Sequence, residues 1–229
     1  MSAARTMQLP SAAPLVLFDL DGTVADTAPD LAGAANAMRI ARGLPPLPYA
    51  DLRPMASHGA RGLIGRALGR TPAHPDFEDL RHEFLNRYEA ALCVDSRLFD
   101  GIDALLRMLE GSGRRWGIVT NKAARFTDPL VRALDLHARA ACVVSGDTTP
   151  HAKPHPAPLL HAAMLAGQAA EQAVYIGDDL RDIEAGRAAG MTTIAVGYGY
   201  LGEGVPVHDW GADFLVESTR ALADLVAPT

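Results

Sequence analysis

The sequence predicts an α/β fold: a parallel sheet with helices on both faces, interrupted after its first strand by a small all-helical insert. Three observations predict it. Short runs that are apolar throughout recur along the chain, as expected of strands buried on both faces. Helical patterns lie between those runs, and strand–helix alternation implies a parallel sheet. The interval from Asp26 to Arg97 breaks the alternation and holds helical patterns alone.

The first strand is Leu15–Asp19. The insert follows, with helical stretches at Pro29–Arg42, Tyr49–Ser57, Leu63–Leu68 and Phe77–Leu92. In the last of these, Phe77, Leu80, Phe84, Tyr88 and Leu92 recur at three- and four-residue steps and form one apolar stripe. Gly43-Leu-Pro-Pro-Leu-Pro48 is a breaker between the first two. The remaining strands are Trp116–Thr120, Cys142–Ser145, Val174–Asp178, Thr193–Val196 and a weaker Phe214–Val216. Helices Ile102–Leu109, Arg125–Leu134, Ala157–Ala166 and Leu180–Ala189 alternate with them. The expected organisation is a core of residues 1–25 and 98–229, with 1–13 as a flexible start, and an insert over 26–97.

With 229 residues, 48% of them hydrophobic, the chain can bury one sizeable core plus a small appended unit. A net charge of −6 gives no electrostatic help toward DNA or anionic membranes, so neither is an expected partner. The two cysteines, Cys93 and Cys142, have no zinc-site spacing and read as buried thiols of a reduced compartment. No apolar run reaches the ~18 residues of a membrane span. Met1 to Pro14 lacks the apolar stretch of a secretion signal, so the expected location is cytoplasmic.

Four strand ends carry chemistry. The first reads Phe18-Asp19-Leu20-Asp21-Gly22-Thr23. Two carboxylates at the end of a buried strand need neutralisation, and a divalent cation supplies it. Gly22 allows a sharp turn and a close backbone approach. The second strand ends in Thr120-Asn121-Lys122, a hydroxyl and an amide that can hold a phosphate oxygen, although Thr and Asn also cap helices. Lys153-Pro154 follows the third, and a lysine can pin phosphate as a point charge. The fourth ends in Gly177-Asp178-Asp179-Leu180-Arg181-Asp182, where Asp178 and Asp182 share a helix face. Open α/β sheets place ligands at such ends. Jointly the four supply hard oxygen ligands for Mg²⁺, a carboxylate nucleophile, a second carboxylate for acid–base work and a lysine. In the insert, Ser57-His58-Gly59-Ala60-Arg61-Gly62 reads as a glycine-rich loop carrying two possible anion binders, His58 and Arg61, for the non-phosphate part of a substrate, or as a solvated loop. Gly197-Tyr-Gly-Tyr200 reads as packing, with lining of the site as the alternative.

This set of motifs, in this order and covering nearly the whole chain from Leu15, resembles the haloacid dehalogenase superfamily, phosphatase branch. The resemblance implies a Rossmann-like sheet with its first strand central, between the second and fourth, and a helical cap. It implies that Asp19 attacks phosphorus and becomes a phosphoaspartate, and that Asp21 protonates the leaving alcohol and then takes a proton from water. It implies Mg²⁺ held by Asp19, the Asp21 carbonyl and Asp178, with Asp182 or Asp179 behind, and the phosphoryl group bound by Thr120, Asn121 and Lys153. Asp21 favours phosphate transfer over carbon–halogen cleavage. Within the superfamily, the chain resembles phosphoglycolate phosphatases. Arg42-Gly-Leu-Pro-Pro, Leu98-Phe-Asp-Gly101, Trp116-Gly-Ile-Val-Thr-Asn121 and Gly177-Asp-Asp-Leu-Arg-Asp-Ile-Glu184 also resemble N-acetylmuramic acid 6-phosphate phosphatases. The expected partner is a small-molecule phosphate ester; oligomeric state is not readable. Rival readings are a phosphosugar mutase on the same scaffold, a phospho-accepting switch and a degenerate binding module.

Overall fold

A computed structural model describes residues 13–227. Leu15–Phe18 forms β1, apolar and buried at every position. Its side chains alternate: Val16 and Phe18 join one apolar cluster, Leu15 and Leu17 another. The chain continues through β2 (Ala25–Asp26), α1 (Ala28–Ile40), α2 (Tyr49–Leu52), α3 (Gly59–Leu68), α4 (Phe77–Ala90) and β3 (Arg97–Leu98). Alternation then resumes with α5 (Ile102–Gly111), β4 (Arg115–Val119), α6 (Ala124–Ala133), β5 (Val143–Val144) and α7 (Ala157–Leu165). It ends with β6 (Ala173–Gly177), α8 (Leu180–Ala188), β7 (Thr192–Val196), β8 (Phe214–Val216) and α9 (Thr219–Val226).

The six long-range strands lie in the order β5-β4-β1-β6-β7-β8, and every pair is parallel. The first strand is central, between the second and fourth of the sheet, as the resemblance implies. Counted along the sheet alone this is the 3-2-1-4-5-6 order of doubly wound folds, whose switch point lies beside β1. Helices cover both faces: α5 and α9 pack Leu105, Leu109 and Leu222 into one cluster, while α7 and α8 pack Leu159, Ala162 and Ala185 into the other.

The helices between β2 and β3 have an apolar cluster of their own, built on Leu31, Met38, Leu52, Leu63, Ile64, Phe84 and Tyr88 and closed by Phe126 and Tyr200. Each large side chain fully buried there contributes about 1.5–3 kcal/mol. The stripe on α4 is buried at Phe77, Leu80, Phe84 and Tyr88, while Leu92 is only half-buried beyond the helix end. β2 and β3 pair antiparallel, Ala25 with Leu98 and Asp26 with Arg97, so the chain enters and leaves the helical unit at one point. Buried Asp30 ties this stem, accepting from the backbone nitrogens of Asp95 (2.8 Å) and Ser96 (3.0 Å) and from the Ser96 hydroxyl (2.6 Å).

Three local readings change. The helix expected over Tyr49–Ser57 stops at Leu52, and Arg53–His58 tightens into a 3₁₀ turn. Pro54 has no N–H to continue an α-helix. The stretch 57–62 is no loop: Gly59 starts α3. The flexible start expected over 1–13 lies outside the described residues up to 12 and is corrected at Ala13. That residue is buried, its carbonyl accepting from Arg114 Nε at 2.8 Å, and the Pro14 carbonyl accepts from the Arg115 nitrogen at 2.9 Å. No helix among the described residues is long and apolar enough to cross a membrane.

Candidate active site

Register brings the motifs together. Phe18 at the end of β1 stands level with Ile118 of β4 and Ile176 of β6. Asp19, Thr120 and Asp178, each just beyond, therefore emerge side by side at one edge of the sheet. Lys153, from the loop between β5 and α7, is 5% exposed, and its ammonium is the hub. It donates to Asp19 Oδ1 (2.9 Å), Asp182 Oδ1 (2.7 Å), the Val119 carbonyl (3.0 Å) and the Tyr175 hydroxyl (2.8 Å). Burial pulls the ammonium pKa down, but Asp182 and Asp19 push it up to about 12, so Lys153 stays charged.

Carboxylate oxygens of Asp19, Asp178 and Asp182 lie within 4.8 Å of one another, and all three residues are buried. Burial pushes the Asp19 carboxyl up to about 7, with Lys153 pulling against it and Asp182 and Asp21 adding to it. Burial, then the charges of Asp19 and Asp182, push Asp178 well above the usual carboxylate range. Three buried carboxylates against one ammonium leave two negative charges over. A buried cluster of this kind takes up protons or a cation, and three hard oxygen donors suit a small divalent ion.

The backbone shapes this cluster closely. Gly22 has φ +85°, and a Cβ there would stand 2.1 Å from Asp178 Oδ2; a Cβ on Gly199 would stand 2.2 Å from Asp178 Cβ. Only glycine lets both turns close around the Asp178 carboxylate. Thr23 Oγ1 donates to Asp178 Oδ1 (3.1 Å) and the Tyr200 nitrogen to Oδ2 (2.7 Å).

Asp21 and Asp19 each present one committed oxygen and one open oxygen. Asp21 Oδ1 accepts from Lys122 Nζ (2.8 Å) and Thr27 Oγ1 (2.5 Å), and Asp19 Oδ1 from Lys153; the Oδ2 atoms accept nothing from the described residues. Thr120 is buried, and its Oγ1 accepts from the Lys122 nitrogen (3.1 Å), which leaves its proton to give. Asn121 is differently employed than expected: its amide clamps the Lys153 backbone, accepting from Lys153 N and donating to Lys153 O, both at 2.9 Å. Asp179 caps α8 and pairs with Arg181 (2.7 Å), whereas Asp182 belongs to the carboxylate cluster. Gly197–Tyr200 does not line the cavity. It runs against Asp178, and the Tyr200 hydroxyl accepts from the backbone nitrogens of Thr27 (2.7 Å) and Ala28 (2.9 Å) at the stem.

A cavity of about 470 Å³ joins this edge to the helical unit. His58 and Arg61 line it, as do Arg81, His82, Phe84, Tyr88, Arg125 and Phe126. Lys122, Tyr175 and Arg125 escape a reading of the sequence. Lys122 stands beside the Thr-Asn pair, which is the one local signal for it; Tyr175 reads as an apolar strand residue.

The family model for "Haloacid dehalogenase-like hydrolase" matches residues 16–196. An N-acetylmuramic acid 6-phosphate phosphatase of Pseudomonas aeruginosa is 46% identical over 92% of this chain and 93% of its own length. A phosphoglycolate phosphatase of Xanthomonas campestris pv. campestris is 48% identical over 90% of this chain and 93% of its own. Among solved structures, a predicted phosphoglycolate phosphatase from Haemophilus somnus 129pt superposes with a TM-score of 0.80 at 26% identity, covering 93% of this chain and 97% of that one.

Proposed function

The chain belongs to the haloacid dehalogenase-like hydrolases, and from that premise we propose that it hydrolyses a small phosphate monoester through a phosphoaspartate on Asp19. The observation that carries this reading is the split in the Asp19 carboxylate: Oδ1 is pinned by Lys153 while Oδ2 accepts nothing from the described residues, on a side chain of the cavity lining. Asp19 Oδ2 attacks phosphorus, the bond to the leaving oxygen breaks, and that oxygen takes a proton from Asp21 Oδ2. Water then attacks the phosphoaspartate, gives its proton to Asp21 and releases phosphate. Lys122 and Thr27 hold the other Asp21 oxygen, fixing the carboxyl for both transfers. Thr120 donates to a phosphoryl oxygen. Lys153 offsets charge beside it, and Asn121 acts through Lys153 as a positioning residue. Mg²⁺ is the cation that suits Asp19, Asp178, Asp182 and the Asp21 carbonyl, and when bound it neutralises charge at the phosphoryl oxygens. Residues 26–97 form the cap, hinged at β2 and β3.

2-Phosphoglycolate is the first candidate substrate. A cavity of about 470 Å³ favours a second, N-acetylmuramic acid 6-phosphate, because that volume falls in the range that holds drug-sized ligands. Phosphate release from both esters tests the reading. It is expected to stop in EDTA, return with Mg²⁺, and vanish in Asp19→Asn with the fold intact. Metal-independent release, or appreciable turnover by that variant, contradicts it.

A further inference from the structure

We propose that Arg61 and Arg125 clamp a carboxylate on the leaving group, so that the substrate is the phosphate ester of a hydroxy acid; this rests on the phosphatase reading above. The argument is the distribution of charge along the cavity. All five carboxylates in its lining belong to the core end of the sheet. There they are matched by Lys122, Lys153 and Arg181, each of which has a carboxylate within 2.9 Å. The insert contributes no acid to the lining; its polar side chains there are arginines, histidines, Ser57 and Tyr88.

Arg81 of the lining pairs with Glu78 at 3.4 Å, and two guanidiniums are then left over. Arg61 lies in the first turn of α3 and Arg125 in the first turn of α6, so one stands on the insert and the other on the core. Neither has a hydrogen-bond or ion-pair partner among the described residues; Arg125 only lies over the Phe126 ring, 4.3 Å from its centroid. A second observation points the same way. The hydroxyl of Ser57, a residue of the lining, is buried without a partner. Buried hydroxyls are rarely left so, and a polar ligand satisfies them. A neutral leaving group needs no cation beyond those that match the carboxylate cluster. An acid does, and a planar guanidinium fits a carboxylate bidentately. A clamp with one arm on each unit also makes the acid a contact between cap and core.

The test uses two matched pairs of esters: N-acetylmuramic acid 6-phosphate against N-acetylglucosamine 6-phosphate, which lacks the lactyl acid, and 2-phosphoglycolate against 2-hydroxyethyl phosphate. In at least one pair, wild-type kcat/KM is expected to favour the acid by about 100-fold or more. Arg125→Ala and Arg61→Ala each reduce that ratio by about 10- to 100-fold, with Arg→Lys in between. Equal rates on acid and neutral esters overturn the proposal. So does a variant that lowers both members of a pair equally, because the guanidiniums then serve the phosphoryl group. Melting temperatures near wild type confirm that the variants are folded. Absence of Mg²⁺-dependent release from every ester, p-nitrophenyl phosphate included, is a different result and removes the phosphatase reading itself.

Discussion

The two walls of the cavity are built differently. On the core wall the groups of the carboxylate cluster are held: the Lys153 ammonium lies within 3.0 Å of four acceptors, and Asp178 is held by Thr23 and by the Tyr200 nitrogen. On the insert wall the side chains that meet the cavity are loosely held. Arg61 has no partner among the described residues, Arg81 reaches Glu78 only at 3.4 Å, and one His82 nitrogen lies 2.8 Å from the Glu78 carbonyl. Groups that must be in place before the reaction are locked by the fold, because any reorganisation adds to the barrier. The insert's cavity-facing groups sit on a helical unit that the chain enters and leaves at one stem, where they can change without disturbing the carboxylate cluster.

Substitution on the core wall is therefore expected to damage both stability and turnover. Lys153→Ala leaves buried carboxylates uncompensated and costs about 3–5 kcal/mol in the metal-free protein, with kcat/KM falling by about 10²-fold or more. Denaturant melts beside kinetics check this; a melt within 1 kcal/mol of wild type by order of magnitude would break the contrast between the walls.

A smaller effect follows from the acids themselves. Burial pushes the Asp19 carboxyl up to about 7 from its ordinary 3.8, and Asp178 is shifted the same way. A carboxyl with a raised folded pKa stabilises the fold while protonated, below the ordinary value, and that contribution is lost as pH rises through the folded value. In EDTA the melting temperature is thus expected to fall between about pH 4 and pH 7, and Asp178→Asn to flatten the slope. Mg²⁺ raises the melting temperature most at the alkaline end, since only the native state holds it. A slope unchanged in that variant would detach the cluster from stability.

The smallest effect belongs to the insert wall. Arg81 is exposed, and Arg81→Ala is expected to shift stability by less than about 0.5 kcal/mol. A larger loss would mean that this wall is also structurally locked.

The same contrast explains what the sequence made legible. Each strand end is a local pattern, an apolar run followed by acids, a hydroxyl or a lysine, so the cluster was readable, while the sheet order followed from the family resemblance that those patterns carry. What holds those groups was not. Thr23 meets Asp178 across 155 residues, and Tyr200 meets Thr27 across 173, pairings that no local spacing encodes. Tyr175 looked like one more apolar strand residue because its hydroxyl acts only where the strand meets Lys153. Gly197–Tyr200 read as packing more than as lining, but what its glycines approach, Glu217 from Gly197 and Asp178 from Gly199, was not readable. On the insert, Ser57–Gly62 looked like a loop because of its glycines; with Gly59 opening α3, it is a turn leading into a helix.

The central claim is that phosphate passes through Asp19, and the stereochemical course at phosphorus tests it most directly. Hydrolysis of an isotopically chiral phosphate ester in labelled water is expected to proceed with net retention, the result of two in-line displacements, first by Asp19 and then by water. Inversion would mean that water attacks the ester directly, and would contradict the account.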